Sequence, residues 1–306
     1  MASPSSDGQG EGYRASRRLR EADRDFRVQG RDVDVLMALA KMRLLRTSDL
    51  TRLFFDSKGT CQKRMRKLFD AGLVRAIVSE LASENRYALT PMGHAFLVEA
   101  SDDDVPPWRP APKVKGRELT HLGLLNAYRI ALATGAAKAG GVLVRFTPDW
   151  ELRSQSPQAD LIPDAAVVVE LGSKRLEIAL EIDAGTIAPS LVAKRMAKYE
   201  AKRMMRAPVF GLAAPVVFLV AVTARRARSL ARALRGSTAA GGVLLGVAPS
   251  VLVDGGLSSG ACASISALSD RKGALTAADF TAGLAAAVRV TGRGVTLAVC
   301  ATARSR

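Results

Sequence analysis

Ile162-Pro163-Asp164-Ala165-Ala166-Val167-Val168-Val169-Glu170-Leu171-Gly172-Ser173-Lys174-Arg175-Leu176-Glu177-Ile178-Ala179-Leu180-Glu181-Ile182-Asp183 is the stretch on which the fold of this chain turns. Two apolar runs, Ile162–Glu170 and Arg175–Asp183, flank Leu171-Gly172-Ser173-Lys174. Gly172-Ser173 is a two-residue loop with glycine first, the composition of a type II′ turn, so the runs read as an antiparallel hairpin. That register sets Glu170 against Arg175, a favourable pair, and Asp164 against Glu181, where like charges directly opposite repel. Asp183 lies two residues beyond Glu181 and shares its face. Three carboxylates therefore meet on one patch at the ends of apolar strands. Such a cluster needs a compensating cation or raised pKa values. Hard oxygen ligands suit Mg²⁺ or Mn²⁺, which could support metal-assisted phosphodiester hydrolysis. The plainer reading is a set of edge carboxylates pointing to water.

Outward from the hairpin, helices and strands alternate. On the N-terminal side, Arg117 to about Lys138 is helical and Val142–Phe146 is a strand ending near Trp150-Glu151. On the C-terminal side, Gly185-Thr186 breaks the strand, and a basic helix runs from Pro189 to about Arg206. Its Lys194, Lys198 and Lys202 recur at i, i+4 and i+8 along one face, with Arg195, Tyr199, Arg203 and Arg206 beside them. Lys194 could orient a water or a phosphate. Strand Val216–Val222, the Arg-rich helix Ala224–Arg235 and strand Val243–Val247 follow. This order implies a mixed sheet flanked by helices. Residues 251–306 are Ala/Gly-rich and take no assigned role.

Between about Arg31 and Ala100 the pattern is different. Val33, Leu36, Met37 and Ala40 mark a helix with one buried face. Thr47 or Ser48 caps a short second helix ending near Phe55, and Ser57-Lys58-Gly59-Thr60 opens a third that Ala71-Gly72 closes. In the third helix Cys61, Met65, Leu68 and Phe69 face inward, while Lys58, Gln62, Lys63, Arg66 and Lys67 face out. Leu73–Val78 and Arg86–Pro91 form a hairpin across a polar turn. Three helices and a hairpin are the winged helix-turn-helix plan, whose third helix enters the DNA major groove and whose hairpin adds Arg86. A solvated basic surface or a protein-docking module is the alternative. The divisions expected are a basic arm at 1–28, the winged helix-turn-helix at 29–100, a Pro/Asp-rich linker at 101–115, a second domain at 116–250 and the C-terminal region at 251–306. The fold class is thus α+β or α/β.

Composition narrows the function classes. The chain has 306 residues, 45 Lys+Arg against 29 Asp+Glu, and a formal net charge of +16. A polyanionic partner is implied, with double-stranded DNA first. Two histidines, His94 and His121, cannot build a His-rich relaxase metal site, and no G-x-x-x-x-G-K-[ST] motif supports a nucleotide-driven motor. Cys61, Cys262 and Cys300 are widely spaced, which excludes an obvious zinc ribbon and suits a reducing cytoplasm. The most apolar stretch, Val209 to Val222, is too short to span a bilayer, and no membrane partner is expected.

Several segments together resemble the replication-relaxation family of plasmid and mobile-element proteins. They are Tyr87-Ala88-Leu89-Thr90-Pro91-Met92-Gly93, Glu118-Leu119-Thr120-His121 through Asn126, Trp150-Glu151, Pro163-Asp164-Ala165, Glu181-Ile182-Asp183-Ala184-Gly185-Thr186 and Lys194 through Tyr199. The resemblance implies a winged helix joined to a mixed-sheet, restriction-endonuclease-like domain of the PD-(D/E)xK type, acting in plasmid replication or DNA relaxation. It matches Asp164 to the Asp of Pro-Asp, Glu181 to the first acid of (D/E)-x-K, and Glu118 to an acid of the first helix. His121 and Tyr199 fall on family positions and equally suit core packing. Asp183 stands where the motif has lysine. Either Lys194 or Lys198 replaces that lysine, or the acids bind Mg or Mn differently, or the domain is a non-cutting DNA clamp. Two functions follow: a metal-dependent nickase aimed by the winged helix, or a non-catalytic accessory factor or transcriptional regulator. A homodimer, relaxosome proteins and replication proteins are further partners compatible with either.

Overall fold

A computed structural model describes residues 26–77, 84–111, 116–138, 140–213, 215–235, 243–247, 267–268 and 297–298. The arm expected at 1–28 therefore lies almost wholly outside the described residues, as does nearly all of 251–306. The chain divides into two compact units, Met1–Gly123 and Leu124–Arg306.

In the first unit, α1 (Gly30–Met42), β1 (Leu45–Arg46), α2 (Thr47–Phe54) and α3 (Lys58–Asp70) precede β2 (Val74–Ile77), β3 (Arg86–Leu89) and α4 (Pro91–Ala100). The strands form an antiparallel sheet in the order β1-β3-β2. Val35, Leu36 and Leu39 of α1 pack in the core, whereas Val33 and Ala40 are only half-buried, so the inward face is rotated from the one expected. Asp32 lies on that inward face, buried with its carboxylate paired to Arg64 on α3 and accepting the Gln29 N–H at 2.7 Å. Helix α2 is not capped by Thr47 or Ser48. The Asp49 carboxylate reaches back to the Arg46 N–H at 3.0 Å and to the Arg46 guanidinium at 3.0 Å. Thr47 and Ser48 instead bond to Asn85 O and Glu84, which ties α2 to the chain entering β3. Helix α3 begins as expected, with Ser57 Oγ accepting the Thr60 N–H, and buries Cys61, Met65 and Leu68. The strand Arg86–Pro91 stops at Leu89. Thr90 accepts the Gly93 N–H and Pro91 sits in the first turn, which starts the unforeseen α4.

Helix α5 (Gly116–Lys138) carries the division between the units. Beyond it come β4 (Gly141–Pro148), α6 (Asp149–Gln155), β5 (Ala165–Leu171), β6 (Lys174–Asp183), α7 (Pro189–Met204), β7 (Val216–Ala221), α8 (Ala224–Arg235) and β8 (Val243–Val247). They build one five-stranded sheet in the order β4-β5-β6-β7-β8. The first three strands are antiparallel, and β7 and β8 add in parallel through α7 and α8, as a parallel ladder requires. The sheet is mixed, as the alternation of elements predicts. One face packs Ala179, Val217, Leu219 and Ala221 against Val192, Met196 and Tyr199 of α7 and Leu230 and Leu234 of α8. On the other, Phe218 meets Tyr128 of α5 edge to face at 5.8 Å. Two short strands, β9 (Ala267–Leu268) and β10 (Leu297–Ala298), pair antiparallel. Among the described residues no helix is long and apolar enough to cross a membrane.

Candidate functional site

The β5–β6 hairpin has the register read from the sequence. Glu170 pairs with Arg175 and Ala165 with Leu180, and Gly172 takes a φ of 59° at the first turn position. Asp164 falls one residue before β5. Its Oδ2 accepts the Ile182 N–H at 2.6 Å, extending the ladder with a side chain. Asp164 stays close enough to Glu181 that its charge raises the Glu181 pKa. Glu181 and Asp183 share the face covered by α7 and α8, and each is only 5% exposed.

Both buried acids are held by arginine. The Arg195 guanidinium on α7 donates to Glu181 Oε1 and Oε2, Nε at 3.0 and 2.9 Å and Nη2 at 2.8 Å, and also donates to Ile162 O. Tyr199 Oη donates to Glu181 Oε1 at 2.5 Å. Burial, and then the Asp164 charge, push the Glu181 carboxyl up to about 7, against the pull of Arg195 and Tyr199. Burial together with the Glu181 charge raises the Tyr199 phenol far above its ordinary value, so it is a donor throughout the accessible pH range. Asp183 pairs with Arg226 of α8, whose Nε lies 2.5 Å from Oδ2 and Nη2 3.1 Å from Oδ1. The Gly185 N–H adds a bond to Asp183 Oδ1 at 3.1 Å, and Arg226 also donates to Ile187 O. The chemistry of this site is charge neutralisation. Each carboxylate closes a guanidinium clasp that fastens a helix to the carboxyl end of β6.

The remaining expected site residues are dispersed. Lys194 and Lys198 are exposed on α7, and Lys198 Nζ donates to Asp160 O at 3.4 Å. Glu118 is exposed and His121 half-buried on α5, on the Met1–Gly123 side of the division. On α3, Lys58, Gln62, Lys63 and Lys67 are exposed, while half-buried Arg66 pairs with Asp70 at 2.8 Å and stands over the Phe69 ring at 5.4 Å. Arg86 opens β3 and is half-buried. Sequence reasoning gave no role in the acidic patch to Arg195 or Arg226. Arg195 carried a readable signal: with Val192, Met196 and Tyr199 at helical spacing it lies on the inward edge of α7, whereas Lys194 and Lys198 lie on the outer side. Arg226 carried none, because its partner is 43 residues away.

A divalent ion does not fit these residues as they stand. Both oxygens of Glu181 and both of Asp183 accept from guanidinium groups, and Asp164 Oδ2 accepts a backbone N–H. Among the described residues no three His, Cys, Asp or Glu side chains are placed to hold a metal ion.

A family model described as replication-relaxation matches residues 36–207. No curated protein matches the chain. The structure of restriction endonuclease FokI is similar at 12% identity, covering 72% of this chain and 43% of that one, with a TM-score of 0.27. The structure of FokI bound to DNA is similar at 13% identity, covering 70% and 42%, with a TM-score of 0.25. This chain thus spans less than half the length of either FokI chain, and scores this low carry no weight for architecture or chemistry.

Proposed function

The chain belongs to the replication-relaxation family, and on that premise we propose that it is a cytoplasmic DNA-binding protein of a plasmid or mobile element, acting in replication or DNA relaxation by holding duplex DNA. In this reading residues 29–100 form a winged helix-turn-helix, 101–115 a linker, and 116–250 a nuclease-like scaffold that does not cut. The carrying observation is α3. It exposes Lys58, Gln62, Lys63 and Lys67 along its outer side, buries Cys61, Met65 and Leu68, and has its own acid, Asp70, occupied by Arg66. A helix so disposed, after two others and before an antiparallel hairpin, has the order of a recognition helix. The arginine clasps on Glu181 and Asp183 favour a scaffold over a hydrolytic centre, since the groups that would bind an ion already carry cations.

The test is fluorescence anisotropy with a labelled duplex across a salt series. Affinity should fall steeply with salt, and Lys58→Ala/Lys63→Ala should flatten the log–log slope by about 0.9 for each phosphate that the variant leaves unneutralised. Salt-independent binding would refute the proposal. Supercoiled plasmid incubated with Mg²⁺ or Mn²⁺ should stay intact. Nicking that requires Mn²⁺ and disappears in Asp164→Ala would reinstate the metal-dependent nuclease.

A further inference from the structure

Helix α8 has the sequence Ala224-Arg225-Arg226-Ala227-Arg228-Ser229-Leu230-Ala231-Arg232-Ala233-Leu234-Arg235 and contains no acid. Ala227, Leu230, Ala231 and Leu234 are buried against the sheet. At about 100° per residue, Arg225, Arg228 and Arg232 fall within an arc of about 60° on the opposite side. All three are exposed, and among the described residues none of them has a hydrogen-bond or ion-pair partner. Arg226 lies between the two faces and is the arginine consumed by Asp183.

This stripe runs against local helix preference. Cations in the first turn face the positive end of the helix dipole, and no acid relieves them. Arg226 is compensated by its buried partner, but Arg225 has no such compensation. Three like charges on neighbouring turns also repel one another. A rule broken locally without internal compensation marks a surface whose partner lies outside the chain. The partner must be an extended polyanion, because the guanidinium groups form a line and not a cup. From Arg225 to Arg232 the helix rises about 10 Å, which corresponds to about three phosphates at 3.4 Å of axial rise per strand. The neighbouring α7, on the same face of the sheet, adds exposed Lys194 and Lys198 of the same sign.

We propose that the Arg225/Arg228/Arg232 face of α8 is a second duplex-DNA contact, which grips the phosphate backbone without reading sequence. This rests on the DNA-binding reading above but assigns a separate surface on the second unit. Guanidinium groups suit it through charge-assisted bonds to phosphate oxygens. It adds affinity and leaves base discrimination to α3.

The experiment uses the full chain and a labelled duplex of arbitrary sequence. Arg225→Gln/Arg228→Gln/Arg232→Gln should lower the log–log salt slope by about 2.7 and weaken binding roughly a hundredfold at about 0.1 M salt. The matching triple Lys variant should bind within a few-fold of wild type. An unchanged circular dichroism spectrum and melting temperature in the Gln variant would exclude misfolding, because these side chains lie away from the core. If the Gln variant binds like wild type while Lys58→Ala/Lys63→Ala binds weakly, the α8 proposal is overturned and the functional reading survives. If wild type itself fails to bind duplex DNA, both fall. Stripe-dependent binding to phosphatidylglycerol vesicles, with no stripe dependence on DNA, would also overturn the proposal.

Discussion

Arg226 and Arg175 both pair with carboxylates of the same hairpin, yet their environments differ by enough to decide their worth. Asp183 is almost fully buried, with its side chain 3% exposed, and Arg226 supplies its cation. Removing Arg226 leaves a buried charge unpaired, at a cost of about 3–5 kcal/mol. Arg175 and Glu170 are about half exposed and lie 3.5 Å apart, so Arg175→Ala should cost under about 1 kcal/mol. Urea denaturation of Arg226→Ala and Arg175→Ala should separate the two, and equal midpoints would show that the Asp183 clasp is not structural. Glu181 adds a pH dependence of definite sign. Its folded pKa, about 7, exceeds the ordinary 4.5, so the folded state holds the proton more tightly. The stability it contributes is therefore present at low pH and is lost as pH rises from about 4.5 through about 7. Relative to Glu181→Gln, wild type should lose on the order of 2–3 kcal/mol across that window. A difference between the two proteins that stays flat with pH would mean that Arg195 and Tyr199 offset burial completely.

At the scale of elements, what could be read in advance was whatever local pattern determines. Helix α8 has the expected bounds, because every residue from Ala224 to Arg235 fits one amphipathic period. The β5–β6 register was legible because a two-residue turn fixes cross-strand partners arithmetically. The converging acids were legible too, but their arginine partners were not, since ion pairing between distant elements leaves no local period. Helix α4 was missed for a different reason: Met92, Gly93 and the exposed Val98 blur its apolar stripe, and its anchoring is tertiary. There the Thr90 hydroxyl donates to Gly72 O at 2.6 Å and the Thr90 N–H to Leu73 O at 3.2 Å. Gly93 then passes so close to Leu73 O that a β-carbon would collide with it. The carbonyl is fixed by its bonds to Thr90 and cannot yield. Gly93→Ala should destabilise the first unit by about 1–3 kcal/mol, the range of overpacking against an immobile neighbour. Thiol labelling provides a local readout, because Cys61 is fully buried and its thiol pKa is raised by burial. Its labelling should accelerate in Gly93→Ala, and an unchanged labelling rate and denaturation midpoint would show that the α4–β2 approach is slack.

For the whole molecule the governing quantity is a charge excess that internal pairing does not reduce. The 29 acids are outnumbered by 45 Lys+Arg, and the buried acids Asp32, Asp49, Glu181 and Asp183 each hold an arginine in place. Below the ordinary carboxylate range, acidification leaves 45 cations with nothing to balance them. Glu181 opposes this trend, since its own contribution improves toward low pH, but one carboxyl is set against all the others. Repulsion among the cations must dominate once pH falls below the ordinary carboxylate range. Between about pH 4.5 and 7 Glu181 is the acid whose contribution changes, so stability should rise as pH falls to about 4.5 and then collapse steeply below about pH 4. The collapse should be electrostatic, with far-UV circular dichroism at low pH partly restored by sulfate at concentrations where chloride does much less, because a divalent anion both binds and screens the guanidinium clusters. Acid unfolding that sulfate and chloride relieve equally would point to plain ionic screening, and a chain fully folded at pH 2 in low salt would show that the charge excess does not govern its stability.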